Sequence, residues 1–324
     1  MKKLILHIGR HKTGTTSVQR FLAANADVLA ARGVCYPMSG RGSDHPESNA
    51  ADVDAHHRLA QIFTMGNTRD AEAIERLRQS FLTETHAFDT VIVSSEVFQN
   101  VERFHELRKF FEGFYIVAVG YLREYASYVA SAYAQEIKTS ARCEDVVAFE
   151  RTFGLRLDQF LWMWNLVSNE TRWRLYDPEF LKNRDVVADF LDVTGLDIAW
   201  TAAGSGENVS WSGNLLGFKR IANVCGLHPR IDRNALDTLA ASDKRFSGPI
   251  RIAGEIQDAW RASNNCNNIL RSLFGPIPLH DFSRAKEMFD WNTFEQETRT
   301  IIDAQAQDHL ADMRIVMLTA RARS

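Results

Sequence analysis

Three short apolar runs, residues 4–8, 90–93 and 115–119, are each too brief for a helix, and the stretches between them place apolar side chains at helical spacing. A strand that is apolar along its whole length is buried on both faces. Strands of this kind belong to a parallel sheet covered by helices, because the crossover between parallel strands lays a helix on the sheet. The expected fold class is therefore α/β: three layers, a central parallel sheet flanked by helices. Helices are expected at 52–64, 70–84, 98–111, 123–137, 155–168, 184–194, 213–224 and 251–272, and a further strand at 173–176, closed by Asp177-Pro178. Residues 39–50 read as surface loop and Gly204-Ser205-Gly206 as a linker, with a mainly helical pattern beyond it. A single domain is expected over residues 1–324, with an α/β core of residues 1–200 and a helical extension of 201–324.

The first apolar run ends at Gly9, and Gly9-Arg10-His11-Lys12-Thr13-Gly14-Thr15-Thr16-Ser17 joins it to a helical pattern. Backbone amides in such a turn, added to the positive end of a helix, form a concave anion site. Gly9 and Gly14 have Walker A spacing and Thr16 falls at the Mg²⁺-binding hydroxyl position, but Thr15 stands where a lysine is expected and the loop's lysine is Lys12. A kinase or other nucleotide phosphotransferase would lose its usual phosphate-bridging cation there. A Gly/Thr-rich turn can also do no more than start a helix.

Lys12-Thr13-Gly14-Thr15-Thr16-Ser17 resembles the 5′-phosphosulfate loop of the sulfotransferases that use 3′-phosphoadenosine 5′-phosphosulfate. The segment from Arg123-Glu124-Tyr125 through Ser131 to Gln135 is similar to the carbohydrate-type bacterial branch of that family. The resemblance implies a P-loop-type fold whose core binds the nucleotide. It implies that Lys12 holds the phosphosulfate and supports the leaving phosphate oxygen, and that Thr13, Gly14, Thr15, Thr16 and Ser17 supply amide and hydroxyl donors. Arg123 and, eight residues on, Ser131 would take the 3′-phosphate. Trp173-Arg174-Leu175-Tyr176-Asp177 is similar to the family strand whose tyrosine lies near the adenine, which assigns Tyr176 to the base, although Asp177 replaces the family's glutamate. Asn208-Val209-Ser210-Trp211 occupies the region where relatives close a loop over the nucleotide, without the Arg-Lys-Gly form of that loop. The implied reaction moves a sulfuryl group to a hydroxyl acceptor, a carbohydrate or glycolipid, leaves adenosine 3′,5′-bisphosphate, and requires no metal. A P-loop kinase, or a scaffold that binds nucleotide without turnover, remains as an alternative.

Sulfuryl transfer needs a base for the acceptor hydroxyl. Glu96 follows the run 90–93, at what would be the carboxyl edge of the sheet, and resembles the glutamate base of heparan-type sulfotransferases. As a carboxylate near a helix start it has an alternative use, complementing the dipole. His56 and His57 are rivals, since a histidine serves as base in the cytosolic animal branch, but neighbours on a helix point about 100° apart and at most one would face a site. His7 and His11 lie nearer the loop in sequence; none of the histidines has zinc-ligand spacing.

Composition bounds the partners. The 38 Lys+Arg against 41 Asp+Glu give a net charge of −3, so there is no global basic footprint for nucleic acid, and cationic groups must act locally, as Arg10, Lys12 and Arg123 would around one anionic nucleotide. Cys35, Cys143, Cys225 and Cys266 are widely spaced, which reads as reduced thiols of a cytoplasmic protein. His7, Gly9 and Arg10 interrupt the N-terminal apolar run before a secretory segment can form, and no run approaches the ~20 residues of a membrane span, so no membrane anchor is expected. Seven tryptophans, Trp162, Trp164, Trp173, Trp200, Trp211, Trp260 and Trp291, are candidates for sugar stacking as well as for packing, and Tyr133, Gln135 and Lys138 for the border of an acceptor cleft. The final segment through Arg321 and Arg323 would either pair protomers in a homo-oligomer or shape that cleft.

Overall fold

The computed structural model describes residues 1–10, 12–42, 52–66, 70–199, 209–280, 282, 283, 285–305, 316 and 319. The expectations for His11, Trp200, the 204–206 linker, Asn208, Arg321, Arg323 and most of the 39–50 loop lie outside the described residues. The chain packs as two compact units drawn from interleaved segments: Met1–Arg123, Arg156–Ser205 and Ile269–Pro276 form the first, and Glu124–Leu155, Gly206–Asn268 and Ile277–Ser324 the second.

The first unit is the α/β body. Its five strands are β1 (Lys2–His7), β2 (Val34–Cys35), β3 (Thr90–Ser94), β4 (Phe114–Leu122) and β5 (Glu170–Leu175), ordered β2-β3-β1-β4-β5 and all parallel. β1 is central, with His7 in register with Ser94 of β3 on one side and Val119 of β4 on the other. Period-two alternation divides its side chains between two cores. Leu4, Leu6 and Ile8 join Val91, Val93, Ile116 and Ala118 under Phe81, Phe110 and Trp164. Ile5 joins Ile92, Val117, Val119 and Tyr121 under Val18, Phe21, Leu22, Val187 and Phe190. Helices from Ala71–Thr85, Phe104–Phe110 and Leu157–Val167 thus cover one face, and Thr15–Ala24 (α1) with Val186–Thr194 the other. The three-layer α/β arrangement expected of the sequence is the one found. Between β1 and β4 the connections diverge, since β1 leads by α1 toward β2 while β4 leads toward β5 on the opposite side. At such a switch point a crevice opens at the carboxyl edge of the sheet.

Several boundaries differ from the periodicity. The 98–111 stretch becomes a 3₁₀ segment, Glu96–Asn100, and a separate helix, Phe104–Phe110. The 251–272 stretch breaks into Gly254–Ser263 and Cys266–Phe274, where the Asn264 side chain accepts from the Cys266 amide at 2.7 Å and starts the second helix. β2 went unpredicted, being two residues long at a sheet edge.

The second unit is helical. Its helices include Tyr125–Thr139, Val146–Phe153, Gly213–Val224, Arg233–Ser242 and Phe294–Asp303, with Leu215, Leu216, Phe218, Leu236, Phe246 and Ile301 buried in its core. Among the described residues no helix is long and apolar enough to cross a membrane.

Candidate functional site

The loop that follows β1 is shaped by three backbone requirements. Gly9 passes so close to Thr15 that a Cβ there would stand 1.9 Å from the threonine methyl, so any side chain at Gly9 would push the loop off the helix. Gly14 is the N-cap of α1 in the left-handed region (φ 77°, ψ 13°), where glycine pays no steric penalty. Lys12 is also left-handed (φ 64°), a conformation that costs a non-glycine residue of order 1 kcal/mol and tends to mark functional loops. No side chain caps α1. The first turn closes from Ser17 and Val18 onto the Gly14 carbonyl, at 3.1 and 3.4 Å, which leaves the Thr15 and Thr16 amides without an acceptor inside the helix. Amides at the positive end of a helix dipole are donors suited to an oxyanion.

Cationic groups stand beside this loop. An Arg123 guanidinium N–H donates to the Lys12 carbonyl at 3.0 Å, fastening the residue after β4 to the loop after β1. The same guanidinium lies over the Tyr176 ring, 5.7 Å from its centre. Tyr176 follows β5 and borders Gly14, whose hypothetical Cβ would meet its ring at 3.0 Å. Burial pushes the Tyr176 phenol above its ordinary range, so it stays neutral. Lys12, Gly14, Arg123 and Tyr176, three of them far apart in sequence, are therefore one cluster. Arg10 takes a different course, with its guanidinium over the Phe160 ring at 4.7 Å. Thr13 is buried and its hydroxyl donates to the Arg10 carbonyl at 2.6 Å, so its side chain shapes the loop and leaves only its amide for a ligand. Thr15 is buried, Thr16 half-buried and Ser17 exposed. Ser131 lies half-buried on Tyr125–Thr139, in the second unit.

One strand away, the end of β3 gathers the histidines. His7 Nδ1 is 2.8 Å from Ser94 Oγ. The Ser94 amide donates to His56 Nδ1 at 3.2 Å, and His56 Nε2, which must then carry the proton, donates to the Pro37 carbonyl at 2.9 Å. Both ring nitrogens of His56 are engaged by main chain, and its burial lowers its pKa to about 3. His7, fully buried between Tyr121 and Phe190, is lowered to about 4 for the same reason. Both are neutral at working pH. His57 is turned elsewhere: Nδ1 is 2.7 Å from Ser95 Oγ, and Nε2 is 3.8 Å from Glu96 Oε1. Glu96 Oε2 accepts from the buried amide of Gln19, on α1, at 2.8 Å. Glu96 itself retains 16% side-chain exposure, against 8% for His57.

Of the three candidate bases the structure joins Glu96 with His57 and withdraws His56 into the scaffold. Gln19 and Ser95 were missed by the sequence reading; nothing in a helical heptad or a serine pair signals a partner 77 or 38 residues away. The tryptophans divide as well: Trp164, Trp211 and Trp260 are buried, Trp173 is packed against the sheet core, and Trp162 and Trp291 are exposed. In the second unit the Tyr133 hydroxyl donates to the Glu144 carbonyl at 2.8 Å, while Lys138 pairs with Asp237 and lies over the Trp211 ring at 4.9 Å. Among the described residues no group of three His, Cys, Asp or Glu side chains is arranged to hold a metal ion. No protein-family model, curated protein or solved structure matches this chain.

Proposed function

We propose that the chain is a sulfotransferase that moves a sulfuryl group from 3′-phosphoadenosine 5′-phosphosulfate to a hydroxyl acceptor of carbohydrate type. The observation that carries the reading is the uncapped N-terminus of α1 behind a loop that reads Lys-Thr-Gly-Thr-Thr-Ser, with Arg123 bonded to it and a partly exposed carboxylate at the neighbouring strand end. The residues fit the donor by their chemistry: amides of Thr15 and Thr16, the Lys12 ammonium and the Arg123 guanidinium are all donors to oxyanions, and a flat neutral ring, Tyr176, stands beside them. When bound, the donor supplies an activated sulfuryl group whose bond to phosphate is the one that breaks.

The chain's own work is then positioning and charge stabilisation. Lys12 neutralises the charge that grows on the leaving phosphate oxygen. The α1 amides hold the anion with fixed dipoles that need no reorganisation. Glu96 accepts the proton of the acceptor hydroxyl at Oε1, and His57 faces that oxygen while Ser95 orients the imidazole. Buried His56 and His7 hold the end of β3 rigid through Ser94.

Calorimetry with adenosine 3′,5′-bisphosphate tests the reading. One equivalent should bind without added magnesium, and Lys12→Ala should weaken it. No heat with the bisphosphate, together with Mg²⁺-dependent binding of ATP, would overturn it in favour of a phosphotransferase.

A further inference from the structure

Gln19 sits one helical turn beyond Thr15 on α1, 1% exposed, in a stretch whose other inward residues, Val18, Phe21 and Leu22, are apolar. An amide in that position costs free energy unless it is hydrogen-bonded, so an apolar residue would serve packing better. Its bond is to Glu96 Oε2 at 2.8 Å. The other carboxylate oxygen, Oε1, is the one that faces His57, at 3.8 Å, beyond direct hydrogen-bond reach. Glu96 is thereby tied to the helix whose first turn carries the anion site, four residues upstream of Gln19. We propose that Gln19 is a positioning residue for proton transfer: it anchors Oε2 of Glu96 to α1 and so presents Oε1 to the acceptor hydroxyl.

The identity of that hydroxyl rests on the sulfotransferase reading; the Gln19–Glu96 pairing does not. In the step, the acceptor O–H bond breaks and its proton passes to Oε1, the acceptor oxygen bonds to sulfur, and the sulfur–phosphate oxygen bond breaks with its electron pair left on the phosphate. His57, from the helix His57–Gln61, faces Glu96, and His7 on β1 and Tyr36 lie within electrostatic range of it. His7 is held neutral and burial raises the Tyr36 phenol, so neither supplies a charge. A primary amide does not titrate, and its N–H favours the ionised carboxylate at any pH.

The test uses the full chain labelled with [δ-¹³C]glutamate, the Glu96 carboxyl signal being assigned by its loss in Glu96→Gln. In Gln19→Met, which keeps the side-chain length without the donor, the Glu96 titration should move to higher pH, and in Gln19→Glu further still; bisphosphate binding should stay unchanged in Gln19→Met. With labelled donor and a panel of glucose, galactose and N-acetylglucosamine, kcat of Gln19→Met should fall about tenfold with KM for the donor held, its acid limb moving with the carboxyl titration. A purely structural role for Gln19 would lower stability and leave the titration in place, and an unmoved Glu96 signal in folded Gln19→Met overturns the inference. Gln19→Leu, which also lacks the donor and suits the apolar surroundings, supplies the same comparison if Gln19→Met fails to fold. Loss of bisphosphate binding in the wild type would instead overturn the sulfotransferase reading, with the titration still deciding whether Gln19 sets the state of Glu96.

Discussion

Two helix ends in this protein meet the same electrostatic problem and solve it differently. At the C-terminus of Tyr125–Thr139, in the second unit, the Lys219 ammonium donates to the carbonyls of Ile137 and Ser140 at 3.1 and 3.3 Å, while the Asn223 amide reaches the same two carbonyls and that of Arg142. Lys219 is 1% exposed and also meets Asn223 Oδ1 and His228 Nδ1. The negative end of that helix is thus completed by the protein's own cation. At the N-terminus of α1, in the first unit, glycine occupies the cap and no side chain accepts from the first turn. Both ends obey the same dipole rule. One helix end is finished by the protein's own side chains, and the other is not.

That contrast can be broken by experiment, beginning with the largest effect. Lys219→Met should cost about 3 kcal/mol of stability, because two main-chain carbonyls, the Asn223 side-chain oxygen and a histidine nitrogen lose a buried donor; urea unfolding measures it, and a loss below about 1 kcal/mol would mean the lysine is dispensable there. Lys12→Ala should do the reverse. Its stability should hold, because alanine carries the same Cβ and so the same left-handed strain at φ 64°, while affinity for adenosine 3′,5′-bisphosphate falls roughly tenfold to a hundredfold, the worth of one charged hydrogen bond. Equal affinity in a titration of the two proteins would place the cationic centre elsewhere.

A further effect concerns the two neutral histidines that hold the end of β3 through Ser94. Their folded pKa values, about 4 for His7 and about 3 for His56, lie below the unfolded value near 6.5, so the unfolded chain binds more protons below that point. Their contribution is intact above pH 6.5 and is lost as pH falls from there toward the folded values. Each should cost roughly 2 kcal/mol by pH 5. In His56→Gln the fall in urea midpoint between pH 7 and pH 5 should be correspondingly shallower than in the wild type, and an identical slope would show that His56 does not enter that linkage.

The strand–loop–helix around Gly9 and Gly14 was legible because every part of it is local: an apolar run, two glycines at fixed spacing, then helical period. The β3 and β4 strands were legible for the same reason. β5 was only half seen, since Glu170, Arg172 and Arg174 make an edge strand polar enough to hide its first residues. The base was the hardest part. His56 and His57 are adjacent, of one type and equally buried by pattern, yet one is consumed by Ser94 and Pro37 and the other faces Glu96.

By itself the sequence determined the α/β layering and the strand–glycine loop–helix turn after β1, since both follow from hydrophobic period and from where glycine alone fits. The tertiary structure alone decided which charged and polar groups share a neighbourhood: Arg123 on the Lys12 carbonyl, Tyr176 against Gly14, Gln19 and His57 on the two oxygens of Glu96. Each of those pairings joins residues from different strands or helices, and its geometry is set by sheet order and helix docking, quantities that no local pattern encodes.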